Sequence, residues 1–302
     1  LLAETKSILS KNLVGLRTLR SYTGKSNHIS NLLFAWRPFM DTLWAATATT
    51  SKVRKEHQSF SKKFGMSKRR KKSNAAAGMV WTKQVRVSLL WILFFLSQQV
   101  GPITRTWSST FFNSPAEEFA MVLDASAYGL GGVLLYKGMP IRWFASFLTK
   151  QDELIHGKKI GDGKGQQIWE ALVVLVALRV WYDLWAPRKL ILTLKSDNKA
   201  ALTIAARMKT AKNANLIGRE VAYLYTTAAY HPRYIKHLPG VANQMADSLS
   251  RLNDPSKDYT VPEALMGVEQ TVVPLRSRSY YKTLAAKASG KQKRPRTSSE
   301  RW

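Results

Sequence analysis

The chain has 302 residues, 45% of them apolar, and carries a formal net charge of +28, with 47 Lys and Arg against 19 Asp and Glu. That is room for one large domain or two modest ones, with enough apolar residues for a core. So large a basic excess repels itself in a compact fold and calls for a polyanion, nucleic acid first and an acidic membrane surface second; with no cysteine, disulfides and cysteine-based zinc sites are excluded, and nothing supports an oxidising compartment.

The opening LLAETKSILSKNL does not start with Met and has no apolar signal core before a small-residue cleavage site. It reads as a fragment of a longer product, or one whose start is not shown, and is expected to be nuclear or cytoplasmic and not secreted. Over residues 1–50, Leu9, Leu13, Leu16, Leu19, Leu32, Leu33, Phe39, Leu43 and Trp44 recur at helical spacing, punctuated by Gly24 and Pro38. The pattern predicts two or three helices. Residues 51–78 are basic, ending in the block Lys68–Lys72 (KRRKK), with Glu56 as the acid among them. Such a run is a solvated linker, a phosphate-binding arm or an import signal.

Residues 79–116 hold the most apolar run, Val87–Leu96 (VSLLWILFFL). At ten residues it falls well short of the roughly 20 that a membrane span needs. A buried connecting helix with an extended lead-in is expected, and no membrane partner. Residues 117–252 alternate strand and helix patterns in the order β-β-β-α-β-α-α-β-α, which predicts an α/β mixed sheet flanked by helices, preceded by the small helical segment. Residues 253–302 lose that regularity and are expected to form a basic, disordered tail.

Within the regular zone four acids sit where a solubilising charge is out of place. Asp124 and Asp197 each end an apolar strand, Glu170 enters the nearly all-apolar helix Gln166–Asp183, and Asp247 lies beside Met245, Ala246 and Leu249. Each has an ordinary explanation alone: a turn for Asp124, a helix cap for Asp197-Asn198, a dipole contact for Glu170 and a surface position for Asp247. Buried together they repel and cost several kcal/mol, on the order of the penalty for an unpaired charge. A divalent cation relieves both, and oxygen ligands select Mg²⁺ or Mn²⁺. Two such ions would serve phosphodiester hydrolysis.

The motifs LDASAYGLGGVLL, GQQIWEALVVLVALRVW, LKSDNKAAL and YIKHLPGVANQMADSLSRL resemble the ribonuclease H domain of retroelement reverse transcriptase polyproteins, of the tyrosine-recombinase type. The resemblance spans 117–252. It implies a ribonuclease H-like fold and two-ion cleavage of the RNA strand of an RNA–DNA hybrid, with Asp124, Glu170, Asp197 and Asp247 as metal ligands. It further implies that His237 moves protons and that Asn243, with Asn198 and Ser126, contacts substrate. Lys199, Lys236 and Arg251 are candidates to follow the hybrid backbone. Residues 17–46 are similar to a reverse transcriptase thumb, which makes the polymerase portion of the same polyprotein a candidate partner. No YxDD-like polymerase motif is present, so polymerisation is not expected. The alternatives are a catalytically silent nucleic-acid-binding remnant and an integrase of related fold. An integrase places its glutamate last, whereas here it is second. An aspartic protease wants a D-T/S-G turn, and Asp124-Ala125-Ser126 fails it.

Overall fold

The computed structural model describes residues 1–48, 75, 78–99, 109, 113, 116–187, 190–208, 214–228, 234–256 and 258–284. The basic segment read as a linker over 51–78 falls outside these residues except for 75 and 78, and so do residues 285–302 of the expected tail.

The N-terminal helices α1 (Leu2–Leu9), α2 (Leu16–Leu32) and α3 (Arg37–Ala48) form as the spacing predicts. They do not stand alone. The short strand β1 (Leu13–Gly15) pairs antiparallel with β2 (Met79–Trp81), and this returns the chain so that α4 (Thr82–Leu96) packs on α1 and α3. The apolar run is therefore a buried helix. Leu89 and Ile92 are fully covered, and Trp91 stacks on Phe39 at 4.0 Å between ring centroids. Burying an aromatic pair of this kind contributes more than its area alone. Of the predicted stripe, Leu19, Phe39 and Leu43 are buried, while Leu32 and Trp44 are exposed. No helix among the described residues is long and apolar enough to cross a membrane.

The second region is the expected α/β mixed sheet flanked by helices. Strands β3 (Glu117–Ala125), β4 (Gly129–Tyr136) and β5 (Met139–Phe147) form an antiparallel meander. Strand β6 (Leu190–Ser196) lies parallel beside β3, and β7 (Tyr234–His237) parallel beside β6. A short β8 (Glu269–Gln270) runs parallel on the far edge of β5, so the sheet order is β7-β6-β3-β4-β5-β8. Between β5 and β6 come α5 (Lys150–His156), α6 (Gln166–Val180) and α7 (Tyr182–Trp185); α8 (Lys199–Arg207), α9 (Asn215–Thr227) and α10 (Gln244–Arg251) follow.

Helix α6 is covered on every side, with Ile168 through Leu178 all buried. One side meets the sheet and the others meet α8 and α9, which is what a helix apolar all round requires. The opposite sheet face is covered by α10, through Val122, Val133, Leu135, Trp143, Ala246 and Leu249.

Two features differ from expectation. The first is α5, which the periodicity did not indicate. It is set by a capping box, in which Thr149 Oγ1 accepts from the Asp152 amide while the Asp152 carboxylate accepts from the Thr149 amide. The second is the expected disorder from 253, which does not hold for 258–284. Arg276 is 2% exposed and donates to both oxygens of the fully buried Asp152, at 3.0 and 2.9 Å, to Ser146 Oγ at 2.8 Å and to the Phe147 carbonyl at 2.6 Å. Further on, the buried Glu220 carboxylate accepts from Arg179 and from the Lys282 and Thr283 amides, and Tyr281 bonds His156. A charge count misses this because each basic group meets a carboxylate far away in sequence.

Removing one partner strands the other charge inside. Arg276→Ala is expected to cost about 3–5 kcal/mol in urea unfolding. The exposed Arg278→Ala should change stability by no more than about 0.5 kcal/mol.

Candidate active site

Parallel pairing of β3 and β6 sets Val122 opposite Lys195, so two residues further on Asp124, still in β3, and Asp197, just past the end of β6, come side by side. Glu170 comes from the first half of α6, which packs across β3. Asp124, Glu170 and Asp197 each offer a carboxylate oxygen, and the three oxygens lie within 4.8 Å of one another. Asp124 and Glu170 are 5% and 4% exposed, while Asp197 is exposed and forms the open side of the cluster.

Each buried acid has one oxygen held by a short hydrogen bond. The Ser250 hydroxyl lies 2.7 Å from Asp124 Oδ2 and donates to it. The Gln166 amide donates to Glu170 Oε1 at 2.9 Å and also to the Ala125 carbonyl. Glu170 Oε2 is buried and has no hydrogen-bond partner. A buried glutamate that keeps one oxygen without a partner, in a cluster with two more acids, fits a hard divalent cation, for which carboxylate oxygens are the preferred ligands.

The electrostatics agree. Burial first, then the neighbouring Asp197 and Asp247 charges, push the Asp124 carboxyl up to about 7 against the pull of the Ser250 bond. Burial and the Asp124 charge push Glu170 up to about 9. Without a cation these acids take protons instead.

Asp247 stands apart from the three. It is half-buried on α10, and its Oδ1 accepts from Arg251 Nε at 2.7 Å. Its charge still reaches the site, since it raises both Asp124 and Glu170. Arg251, a candidate backbone contact, is thus paired within the domain and also lies over the Tyr259 ring. Lys199 and Lys236 are exposed.

His237 ends β7, exposed, with its Cα paired to Ser196, one residue before Asp197. Asn243 is 1% exposed. Its amide donates to the Leu123 carbonyl at 3.2 Å and approaches Asp124 Oδ1 at 3.4 Å. Asn198 caps α8, accepting from the Ala200 and Ala201 amides. The buried Ser126 hydroxyl donates to the Ser250 carbonyl and accepts from the Tyr128 and Gly129 amides, so it closes the turn after β3.

Sequence reasoning missed Gln166 and Ser250. The first had a signal, because Gln and Glu four apart share a helix face. The second had none, since Ser250 meets Asp124 only through tertiary packing. That packing depends on glycine. Gly131 is the register partner of Asp124, and a Cβ there would lie 2.6 Å from the Ser250 amide nitrogen; at Gly129 it would lie 2.6 Å from the Ser250 carbonyl oxygen. Bare backbone at both positions lets α10 lie directly on β4.

No family model matches the chain, and no curated protein matches it. Among solved structures it is similar to ribonuclease H1 from the halophilic archaeon Halobacterium salinarum NRC-1, with 13% identity over 46% of this chain and 96% of that one and a TM-score of 0.33. It is also similar to the foamy viral protease-reverse transcriptase dRH in complex with double-stranded DNA, with 12% identity over 88% of this chain and 38% of that one and a TM-score of 0.21. Both likenesses are too distant to carry chemistry across.

The raised carboxyls make a pH prediction for the metal-free protein. A carboxyl whose folded pKa exceeds its unfolded value keeps its proton on folding, so unfolding releases protons and stability falls as pH rises. The decline runs from the ordinary values of 3.8 and 4.5 up to about 7 for Asp124 and about 9 for Glu170. Calorimetric Tm should therefore fall across that window. Asp124→Asn or Glu170→Gln should flatten the decline, and Mg²⁺ should raise Tm most at its alkaline end.

Proposed function

We propose that this protein is a metal-dependent endonuclease that cleaves the RNA strand of RNA–DNA hybrids during retroelement reverse transcription. The observation that carries the reading is the group of Asp124, Glu170 and Asp197, whose oxygens lie within 4.8 Å, with Glu170 Oε2 buried and unpartnered. The strand order supports it as well. Three antiparallel strands followed by two parallel ones set the first and fourth side by side, so that their ends carry the first and third acids, as a ribonuclease H-like fold requires.

In this reading Asp124, Glu170 and Asp197, with help from Asp247, would hold two Mg²⁺ or Mn²⁺ ions, which would supply activation of a water and stabilisation of the leaving oxygen of a phosphodiester. The chain's own groups do the rest. The exposed His237 beside Asp197 accepts a proton at the open side of the cluster and gives it to solvent. Asn243 orients Asp124, Ser126 is taken up by the turn behind it instead of touching substrate, and Asn198, with Lys199 and Lys236, flanks the path of the substrate strand. Selection of RNA rests on 2′-hydroxyl contacts across the minor groove. The N-terminal helices and the polymerase portion of the polyprotein grip the hybrid further away.

One observation favours a second reading, a silent nucleic-acid-binding remnant: the Asp247 carboxylate is engaged by Arg251 instead of joining the other three.

Incubation with end-labelled RNA–DNA hybrid and Mg²⁺ or Mn²⁺ separates the two. Cleavage of the RNA strand by the wild type but not by Asp197→Asn is expected. Equal, background-level products from both, with tight and salt-sensitive binding, would establish the remnant.

A further inference from the structure

We infer that Gln166 and Ser250 are positioning residues that select which oxygen of each buried acid is offered to metal: Glu170 Oε2 and Asp124 Oδ1. The inference deepens the nuclease reading and rests on it.

The two contacts have the same form. Each donor takes one oxygen of one buried acid and leaves the other. Gln166 holds Glu170 Oε1 at 2.9 Å, and the same amide donates to the Ala125 carbonyl at the end of β3. A primary amide has two N–H groups, so one nitrogen serves both acceptors. Gln166 therefore ties α6 to the strand that carries Asp124, and its bond fixes the Glu170 carboxylate about its last torsion. That torsion is otherwise broad. Glu170 Oε2 is what remains, buried without a partner.

Ser250 does the same from the other sheet face. Its side chain is fully buried and its hydroxyl lies 2.7 Å from Asp124 Oδ2, with the Asp247 carbonyl 2.9 Å away as a competing acceptor. A hydroxyl has one proton, and the charged acceptor makes the stronger bond. Asp124 Oδ1 is left with the long 3.4 Å approach of Asn243, whose amide has a shorter bond to the Leu123 carbonyl.

Two carboxylates that rotate freely in so small a space would turn away from each other. Braced ones keep a lone pair on a common centre before any ion arrives. Pre-orientation of ligands by outer groups is worth about 10- to 100-fold in metal affinity. Both braces also cross elements: α6 to β3 for Gln166, α10 to β3 for Ser250. Each therefore reports the packing of a helix to the metal centre.

The test compares wild type, Gln166→Met and Ser250→Ala by calorimetric titration with Mn²⁺ or Mg²⁺ alone, without nucleic acid. Each variant should bind about 10- to 100-fold more weakly while its circular dichroism keeps the wild-type form and its metal-free Tm falls only by the loss of one hydrogen-bonding group. Hybrid cleavage lost at low Mn²⁺ should return at high Mn²⁺, which a merely structural defect would not do. Ser250→Ala leaves a small space in a tight contact. Should it fail to fold, Gln166→Met decides the matter, because Gln166 is only half-buried and fits Met in volume. Unchanged affinity in a folded variant overturns the brace and leaves the metal centre standing. A wild type that takes up no ion overturns both.

Discussion

Everything near the acidic end of the sheet answers to one constraint: two carboxylates, Asp124 and Glu170, are buried within reach of each other and of a third acid, Asp197. Like charges in a poorly solvated space are among the most costly arrangements a fold can contain. The chain meets the cost in part with donors from Ser250 and Gln166, and in part by leaving Asp197 in solvent. The remainder falls to protons or to a cation. A fold built only for stability would have apolar residues at these positions, so the buried acids mark a candidate functional site.

The scaffold around them is made to hold still. Helix α6 is packed on all sides, and α10 lies on two glycines of β4 with no side chain between. The strap of residues 269–284 ties the far edge of the sheet to α5, α6 and α9 through Arg276, Glu220 and Tyr281. Rigid surroundings keep ligand geometry within the small tolerance that metal chemistry requires. The N-terminal helices join the same body, with Arg219 of α9 donating to Thr42 and Asn215 to the Pro38 carbonyl.

Much of this was legible in the sequence. Strands β3, β4, β5 and β6 announce themselves by apolar runs and glycine turns, and α6 by an apolar run too long for a strand. The acids were legible because so few occur in the chain and because Asp124 and Glu170 interrupt apolar stretches. Long-range partnership was not legible. Nothing near Asp152 in sequence suggests Arg276, and nothing near Asp124 suggests Ser250. Helix α5 was hidden because a seven-residue helix offers too few turns to show a period, and its capping box uses Asp in place of the usual Glu. The pairing of Asp247 with Arg251 was within reach, since the two are one helical turn apart.

The contact between Ser250 and Asp124 also sets a schedule. The two residues are 126 apart, and α10, which carries the serine, is the last helix of the sheet's own core. Contacts of such separation form late, after nearer pairings have met the entropy of closing the chain. During synthesis the first acid emerges long before the serine that steadies it, and the strand bearing Asp197 comes in between. A ribosome-bound chain can thus build most of the sheet while its acids are still unbraced. Assembly of the sheet and bracing of its acids are separate events, and the second awaits the arrival of one hydroxyl.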